Sequence, residues 1–520
     1  MIDLTLAQIA RIVDGELADI SADDAEETFV TGTVEFDSRA VSPGGLFLAL
    51  PGARSDGHDF AAGAVAAGAV AVLAARPVGV PAIVVRPRAV PADTGASVLE
   101  YDSDGSGAAV LEALAKLATA VAAELVAGGL VIVGVTGSSG KTSTKDLLAA
   151  VLEPLGAVVA PPGSFNNELG HPWTVLRAST DTDYLILEMS ARHIGNIAAL
   201  ARIAPPSIAV VLNVGTAHLG EFGSREAIAA TKSELPQAVP ASGVVILNAD
   251  DPVVAAMADK TAARVVRVGR SPDSDVWADD VVLDELARPR FSLHTADEQS
   301  GVTLAVHGDH QVSNALCAAA VALECGATLE QVVDALAAAG PVSRHRMQVA
   351  TRADGVTVIN DAYNANPDSM RAGLKALAWM ARGGPATGAD RRRSWAVLGE
   401  MAELGEDAIA EHDRIGRLAV RLDVSRLVVV GTGRPLSAMY HGAVMEGSWG
   451  SEVTMVADVD EALALLREEL RRGDVVLVKA SKSAGLADLA DALADSGNVA
   501  DGRERSDSGN VADGPGNVTG

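Results

Sequence analysis

Residues 130–152 read LVIVGVTGSSGKTSTKDLLAAVL: an apolar run, a Gly/Ser-rich loop, a lysine with hydroxyls behind it, and then an amphipathic pattern. The apolar run suits a strand covered on both faces, and the loop breaks it before a helical pattern begins. A strand feeding a crossover helix returns to a parallel neighbour, so this order of signals constrains the chain to an α/β sheet. The loop suggests a purpose as well. Backbone N–H groups from Gly137 to Thr142, at a helix N-terminus, are expected to converge on an anion such as phosphate. Lys141 is then placed to bridge β- and γ-phosphates, and the Thr142 hydroxyl to ligate Mg²⁺. The strict spacing G-x-x-x-x-G-K is not met, because the position five before Gly140 is Val135, flanked by Gly134 and, two on, Gly137. The bland alternative is a Gly/Ser turn with a surface lysine. The strand–loop–helix context and the Lys-Thr pair favour a nucleotide site made by Thr136, Gly137, Ser138, Ser139, Gly140, Lys141, Thr142 and Ser143.

The same rhythm continues. LVIVGV, DYLILEM, PSIAVVLNV and GVVILNAD alternate with helical segments, as in a parallel sheet covered on both faces. Residues 274–310 alternate more like antiparallel strands. A second α/β series begins near residue 341, with GVTVIND, SWAVLGE, RLVVVGTG, EVTMVAD and DVVLVKA as its strands. Ahead of both, residues 1–105 read as a small α/β unit with Gly/Pro turns, followed by the linker DSDGSG and a helical run, AAVLEALAKLATAVAAEL. The expected architecture is α/β in three units. These are a small N-terminal unit at 1–105, a central P-loop-like parallel-sheet unit at 106–340 and a Rossmann-like unit at 341–495. A disordered tail, 496–520, repeats DSGNVADG.

A formal charge of −27 argues against nucleic acid as a partner. The one basic cluster, Arg391–Arg393, reads as a solvated loop. Cys317 and Cys325, both in an alanine-rich helical segment, make neither a metal spacing nor a disulfide framework, which suits a reducing compartment. The first residues carry acids from position 3 and do not read as a signal peptide. No apolar stretch is long enough to span a bilayer. A cytoplasmic protein without membrane insertion is expected.

In open parallel sheets, ligands gather beyond the carboxyl ends of the strands. LILEMS places Glu188 there, as a second Mg²⁺ ligand opposite Thr142. AVVLNVGTAHLG places His218 beyond the next strand, and SFNNELG brings Asn166 and Asn167 into the preceding loop. A single histidine is more often a structural residue; a Glu, a His and paired Asn at the strand ends of one sheet are less readily coincidental.

These residues resemble the Mur ligases of bacterial cell-wall synthesis. The resemblance runs from about residue 30 to 490. It is carried by DSRAVSPGGLFLALPGARSDGHDF, GVTGSSGKTSTK, FNNELGHP, LEMSARHIGNI, NVGTAHLGEFGSREAIAATKSE, HQVSNALCAAAVAL, NDAYNANPDSM, VLGEMAELGE and LVKASKSAGL. It is closest to the branch that adds D-alanyl-D-alanine to UDP-N-acetylmuramoyl-tripeptide. The resemblance implies an ATP-dependent amide ligase acting through an acyl phosphate in peptidoglycan precursor synthesis, as a monomer using Mg²⁺. It implies catalytic roles for Lys141, Glu188, His218 and Lys232. Asn314 would contact adenine, while Arg346 and Asp361 would reach phosphate and ribose from the C-terminal unit. His218 and Lys232 would face a second Mg²⁺, the lysine as a carbamate. Read from its own neighbourhood, AIAATKSEL, Lys232 is a solvated helix lysine beside Glu234. Ser38 and Arg39 resemble uridine-diphosphate contacts. Asn364 and Asn366 resemble contacts to the incoming dipeptide, and Ser190 and Arg192 would meet the sugar-peptide.

Two departures stand out. KASKSAG carries Ala480 and Lys482 where this branch more often has Gly and Arg, and lysine lacks the bidentate fork. LEMSARHIGNI replaces a Gly-Ala-Ser order. Three rivals remain. A sibling ligase adds a diamino acid, but its Asp-Asn-Pro-Arg run is missing here. A folylpolyglutamate-type synthetase lacks the uridine-nucleotide unit. An NTP-dependent switch would make no bond.

Overall fold

The computed structural model describes residues 1–87, 99, 101–216, 219–383, 391–447 and 452–495. The expected tail and His218 lie outside the described residues.

The N-terminal unit holds β1 (Leu4–Thr5), β2 (Glu16–Ala18), β3 (Phe29–Val30), β4 (Val34–Glu35), β5 (Leu46–Leu48), β6 (Ala71–Ala74) and β7 (Ala82–Val84). Its main sheet runs β2-β7-β6-β5-β4, parallel except for β2. Helix Ser106–Ala127 follows, and a third of its twelve buried residues are alanine. Small side chains let it sit closely between units. One continuous core accordingly joins Leu6, Leu46 and Ile83 through Leu114 and Leu117 to Ile132 and Leu187.

The central sheet contains β8 (Val131–Thr136), β9 (Val158–Val159), β10 (Tyr184–Glu188), β11 (Ile208–Val211), β12 (Val244–Asn248), β13 (Arg264–Gly269), β14 (Val276–Leu283), β15 (Pro289–His294) and β16 (Gln299–Thr303). The order is β16-β15-β14-β13-β12-β11-β8-β10-β9. The antiparallel stretch is present, but it continues the parallel sheet: β14 pairs parallel with β13 and antiparallel with β15. Register matters most at the centre. Glu188 pairs with Val135, and Val211 with Thr136, so the ends of β10, β8 and β11 lie side by side.

The C-terminal sheet contains β17 (Gln348–Thr351), β18 (Thr357–Asn360), β19 (Ser394–Leu398), β20 (Arg426–Val430), β21 (Val453–Val456) and β22 (Val475–Lys479). It runs β17-β18-β22-β19-β20-β21, with only β17 antiparallel. Helix Pro367–Arg382 starts from a capping box between Asn366 and Ser369 with proline in its first turn, a strong start signal.

Two expectations change here. Arg392 and Arg393 are not a solvated loop: Arg392 donates to the Gly473 carbonyl and the Thr357 hydroxyl, and Arg393 pairs with buried Asp474 at 2.6 Å. The carbonyl and carboxylate at that end of the sheet need donors, and the guanidinium groups supply them. Cys325 lies just past helix Gln311–Glu324, not within it. Among the described residues, no helix is long and apolar enough to cross a membrane.

Candidate active site

The ends of β8, β10, β11, β18 and β22 converge on a cavity of about 470 Å³. The phosphate loop, residues 164–168, residues 190–192 and one face of helix Gln311–Glu324 line it, and residues 361–369 with Lys479 close it from the C-terminal unit.

Thr136 is fully buried and its hydroxyl donates to the Met189 carbonyl at 2.9 Å, fastening β8 to the end of β10. Neither Thr136 nor Gly137 lines the cavity. Gly140 takes φ +85°, and a Cβ there would lie 2.8 Å from Asn314 Oδ1, so both conformation and space require glycine. Asn213, just beyond β11, accepts the N–H groups of Ser138 and Ser139 on Oδ1, each at 3.0 Å, and donates from Nδ2 to the Ser139 carbonyl at 3.1 Å. Those two amides therefore depart from the expected convergence, although both serines line the cavity. The N–H groups of Gly140, Lys141, Thr142 and Ser143 have no acceptor among the described residues, as befits the first turn of a helix awaiting an anion.

Lys141 donates from Nζ to the Gly137 carbonyl at 2.7 Å. Burial pushes its pKa down to about 8; Glu188 opposes that shift and Arg346 adds to it. Glu188 is itself buried. Its Oε2 accepts from the Thr142 hydroxyl at 3.2 Å and from Ser164 at 3.0 Å, while buried Oε1 has no partner among the described residues. Asn166 supports Ser164 at 2.7 Å, and Asn167 accepts from Gly170 N–H at 2.9 Å.

From the other side, Arg346 donates to the Thr142 hydroxyl at 3.2 Å and stacks 4.0 Å above the Tyr363 ring. Asp361 accepts from Met347 N–H at 3.1 Å and from Lys479 Nζ at 2.6 Å. Asn314 donates to Gln311 at 2.9 Å and lines the cavity with Cys317, one turn along the same helix face. Asn364 and Asn366 line the facing wall, and Asn366 reaches the Ser138 carbonyl at 3.4 Å. Ser190 and Arg192 also line it, with Arg192 bonded to Glu403 at 2.9 Å.

Some candidates lie elsewhere. Ser38 and Arg39 do not line the cavity, and Arg39 pairs with Asp37 at 2.7 Å in the N-terminal unit. Lys232 does not line it either. It is buried at the end of helix Arg225–Lys232, and burial together with the like charge of Lys141 pushes its pKa well below the ordinary lysine value. The solvated reading of Lys232 fails, because Glu234 points instead to the N–H groups of Gly195 and Ala198. Lys482 is exposed and away from the cavity wall, while Ala480 packs in the core.

Sequence reasoning missed Asn213 and Lys479. Lys479 is fully buried and also donates to the Asn364 carbonyl at 3.0 Å. Both sit at the end of apolar strands, the same signal that singled out Glu188.

Residues 32–121, 135–322 and 345–482 match, in turn, the Mur ligase family catalytic domain, the Mur ligase middle domain and the Mur ligase glutamate ligase domain. A UDP-N-acetylmuramoyl-tripeptide–D-alanyl-D-alanine ligase of Mycobacterium bovis is 77% identical over 504 residues, covering 95% of this chain and 98% of that one. A crystal structure of MurF from Acinetobacter baumannii superposes with TM-score 0.77 at 29% identity, covering 95% of this chain and 99% of that chain. MurF ligase from Thermotoga maritima, solved in complex with ADP, gives 0.70 at 27% identity, covering 90% and 98%. With three domain matches in chain order and a relative this similar along almost the whole length, the chain belongs to the Mur ligase family.

Proposed function

We propose that the chain is an ATP-dependent ligase joining D-alanyl-D-alanine to UDP-N-acetylmuramoyl-tripeptide in the cytoplasmic synthesis of peptidoglycan precursors. The observation that carries this reading is the Arg346–Thr142 bond: it brings the C-terminal unit onto a phosphate loop whose Gly140–Ser143 N–H groups have no acceptor among the described residues. The full-length similarity to the Mycobacterium bovis ligase supports the choice of substrates.

A carboxylate resists attack by an amine because oxide would have to leave. Transfer of the γ-phosphoryl group of ATP to the tripeptide carboxylate makes an acyl phosphate and releases ADP. The dipeptide amine then attacks the carbonyl carbon, loses a proton, and phosphate departs. The Gly140–Ser143 amides and Lys141 hold the triphosphate and balance its charge as the phosphoryl group moves. Arg346 brings a second cation, and Asp361 is offered to the ribose. Asn314 faces the base, with Ser38 and Arg39 assigned to the uridine diphosphate. Asn166, Asn167, Ser190 and Arg192 would hold the sugar-peptide, and Asn364 and Asn366 the incoming dipeptide. The division into units at 1–105, 106–340 and 341–495 goes with these assignments.

The residues fit Mg²⁺: Thr142 offers a hydroxyl beside Glu188, whose buried Oε1 lacks a partner among the described residues. When bound, the ion would neutralise phosphate charge and orient the reacting oxygens. Lys232, held towards its neutral amine, suits carbamylation by CO₂, which would turn it into an oxygen ligand. The decisive experiment measures ADP release with the UDP-linked tripeptide, with and without D-alanyl-D-alanine. Release that requires both substrates supports the proposal; release indifferent to the dipeptide, or satisfied by a diamino acid with the dipeptide precursor, refutes it.

A further inference from the structure

Ser138 is a meeting point of three elements. Its hydroxyl accepts from Gly215 N–H at 2.9 Å, its N–H is held by Asn213, and its carbonyl accepts from Asn366 Nδ2 at 3.4 Å. Beside it, Asp368, in the first turn of helix Pro367–Arg382, accepts from Thr216 N–H on Oδ2 at 3.1 Å. Its other oxygen is held by Arg371 at 2.8 Å. The approach is so close that a Cβ on Gly215 would run into Asp368 Oδ2 and lie 3.3 Å from Ser138 Cβ. The helix that follows the Asn364–Asn366 loop thus rests directly against the segment beside the phosphate loop.

We propose that Asp368 is a positioning residue and Gly215 its seat: together they set the loop Tyr363–Asn366 against the phosphate loop, so that the acceptor amine meets the activated carboxyl in register. This rests on the ligase reading above and assigns Asp368 no contact with the reacting atoms. Acyl transfer is sensitive to such placement, and a misplacement near 1 Å costs about a hundredfold in rate.

The test is a mutant cycle on the full chain. Gly215→Ala is expected to lower kcat by about a hundredfold, with a smaller change in KM for ATP. Asp368→Ala, which removes the seat's partner, loses less, and Gly215→Ala/Asp368→Ala is no worse than Asp368→Ala alone, because the methyl then has room. Asp368→Asn keeps an acceptor for Thr216 and retains more activity than Asp368→Ala. Full activity in Gly215→Ala, a double variant worse than Asp368→Ala, or equal losses in the Asn and Ala variants would overturn the proposal. If Gly215→Ala does not fold, as judged by circular dichroism, the Asn and Ala variants carry the test. Amide hydrogen exchange of Gly215→Ala against the wild type reads the seating without reference to activity: faster exchange at residues 363–369 and 213–216 supports the proposal, and identical exchange there overturns it. A wild-type protein that forms no amide would remove the ligase reading, and the exchange comparison would still stand.

Discussion

The two walls of the cavity are built to opposite rules. The wall from the central sheet is short of partners: among the described residues the Gly140–Ser143 amides lack acceptors and Glu188 Oε1 is buried without a donor. Lys232, off the cavity wall, is buried, and the like charge of Lys141 disfavours its ammonium further. On the C-terminal wall Asp361 accepts from Met347 and Lys479, Lys479 donates also to the Asn364 carbonyl, and Asn366 forms a capping box. Unpaired buried polar groups cost free energy, so a protein keeps them where a ligand will complete them. Paired groups hold a shape. The first wall is therefore where most of the ligand's charge is met, joined from the second by Arg346, whose buried Nε also lacks a partner among the described residues; the paired groups of the second fix geometry.

Removing a group from each wall should separate activity from stability. Lys141→Ala is expected to cut ligation by about a thousandfold or more, the scale of losing a preorganised cation at a phosphoryl group, without lowering the melting temperature, because the deleted ammonium is a desolvated one. Lys479→Met should do the reverse. It leaves the buried Asp361 carboxylate without its paired ammonium, a loss of about 3–5 kcal/mol of stability, seen as a lower melting temperature. Lys479→Arg, which keeps the charge, recovers only part of it, since β22 and Gly373 leave little room: a Cβ at Gly373 would already lie 3.4 Å from Lys479 Cδ. If Lys479→Met melted like the wild type, the contrast between the walls would fail.

That contrast also explains what was legible in the sequence. The under-satisfied wall was readable because its groups are local: the strand, loop and Lys-Thr pair lie within one short segment, and Glu188 marks a strand end. The paired wall depends on partners distant in the chain. Lys479 meets Asp361 across more than a hundred residues, and only the parallel pairing of β18 with β22 brings them together. Asn213 carries the strand-end signal, but its partners Ser138 and Ser139 lie more than seventy residues earlier, so nothing local announces that its side chain holds their N–H groups. Most strands were legible from apolar runs. Arg392 and Arg393 were not, because their acceptors, Gly473 and Asp474, come from the far end of the C-terminal unit. Lys232 shows the limit most clearly, since a lysine in a polar helix segment carries no local sign of burial.

Lys232, buried off the cavity wall, sharpens the comparison from the central unit. If its neutral amine captures CO₂, Lys232→Ala should lower kcat by about a hundredfold, the scale of losing one oriented anionic group at a charged site, and short carboxylates added to the assay should restore part of that loss. The wild type assayed in CO₂-depleted buffer should fall towards the variant and recover on adding bicarbonate. Activity indifferent to CO₂, with no carboxylate rescue, would count against the carbamate.

The smallest expected effect is in pH, and its sign follows from Lys141. In the free protein this lysine titrates near 8, because burial disfavours its ammonium more than Glu188 favours it. A bound polyphosphate favours the ammonium. Below pH 8 the charge is already present, so nucleotide affinity should be flat; above it, binding must draw a proton from solution, and the dissociation constant should rise by up to about tenfold per pH unit. Stability moves the other way. The unfolded chain keeps the lysine proton into the ordinary lysine range, so between pH 8 and that range it binds more protons than the folded chain. The contribution of Lys141 to stability therefore rises across this window. Titrating ADP binding from pH 7 to 9.5 and melting the free protein over the same range should give opposite slopes. Lys141→Arg, which stays charged throughout, should flatten both. A break in affinity that persists in the arginine variant would mean that some other group on this wall takes up the proton.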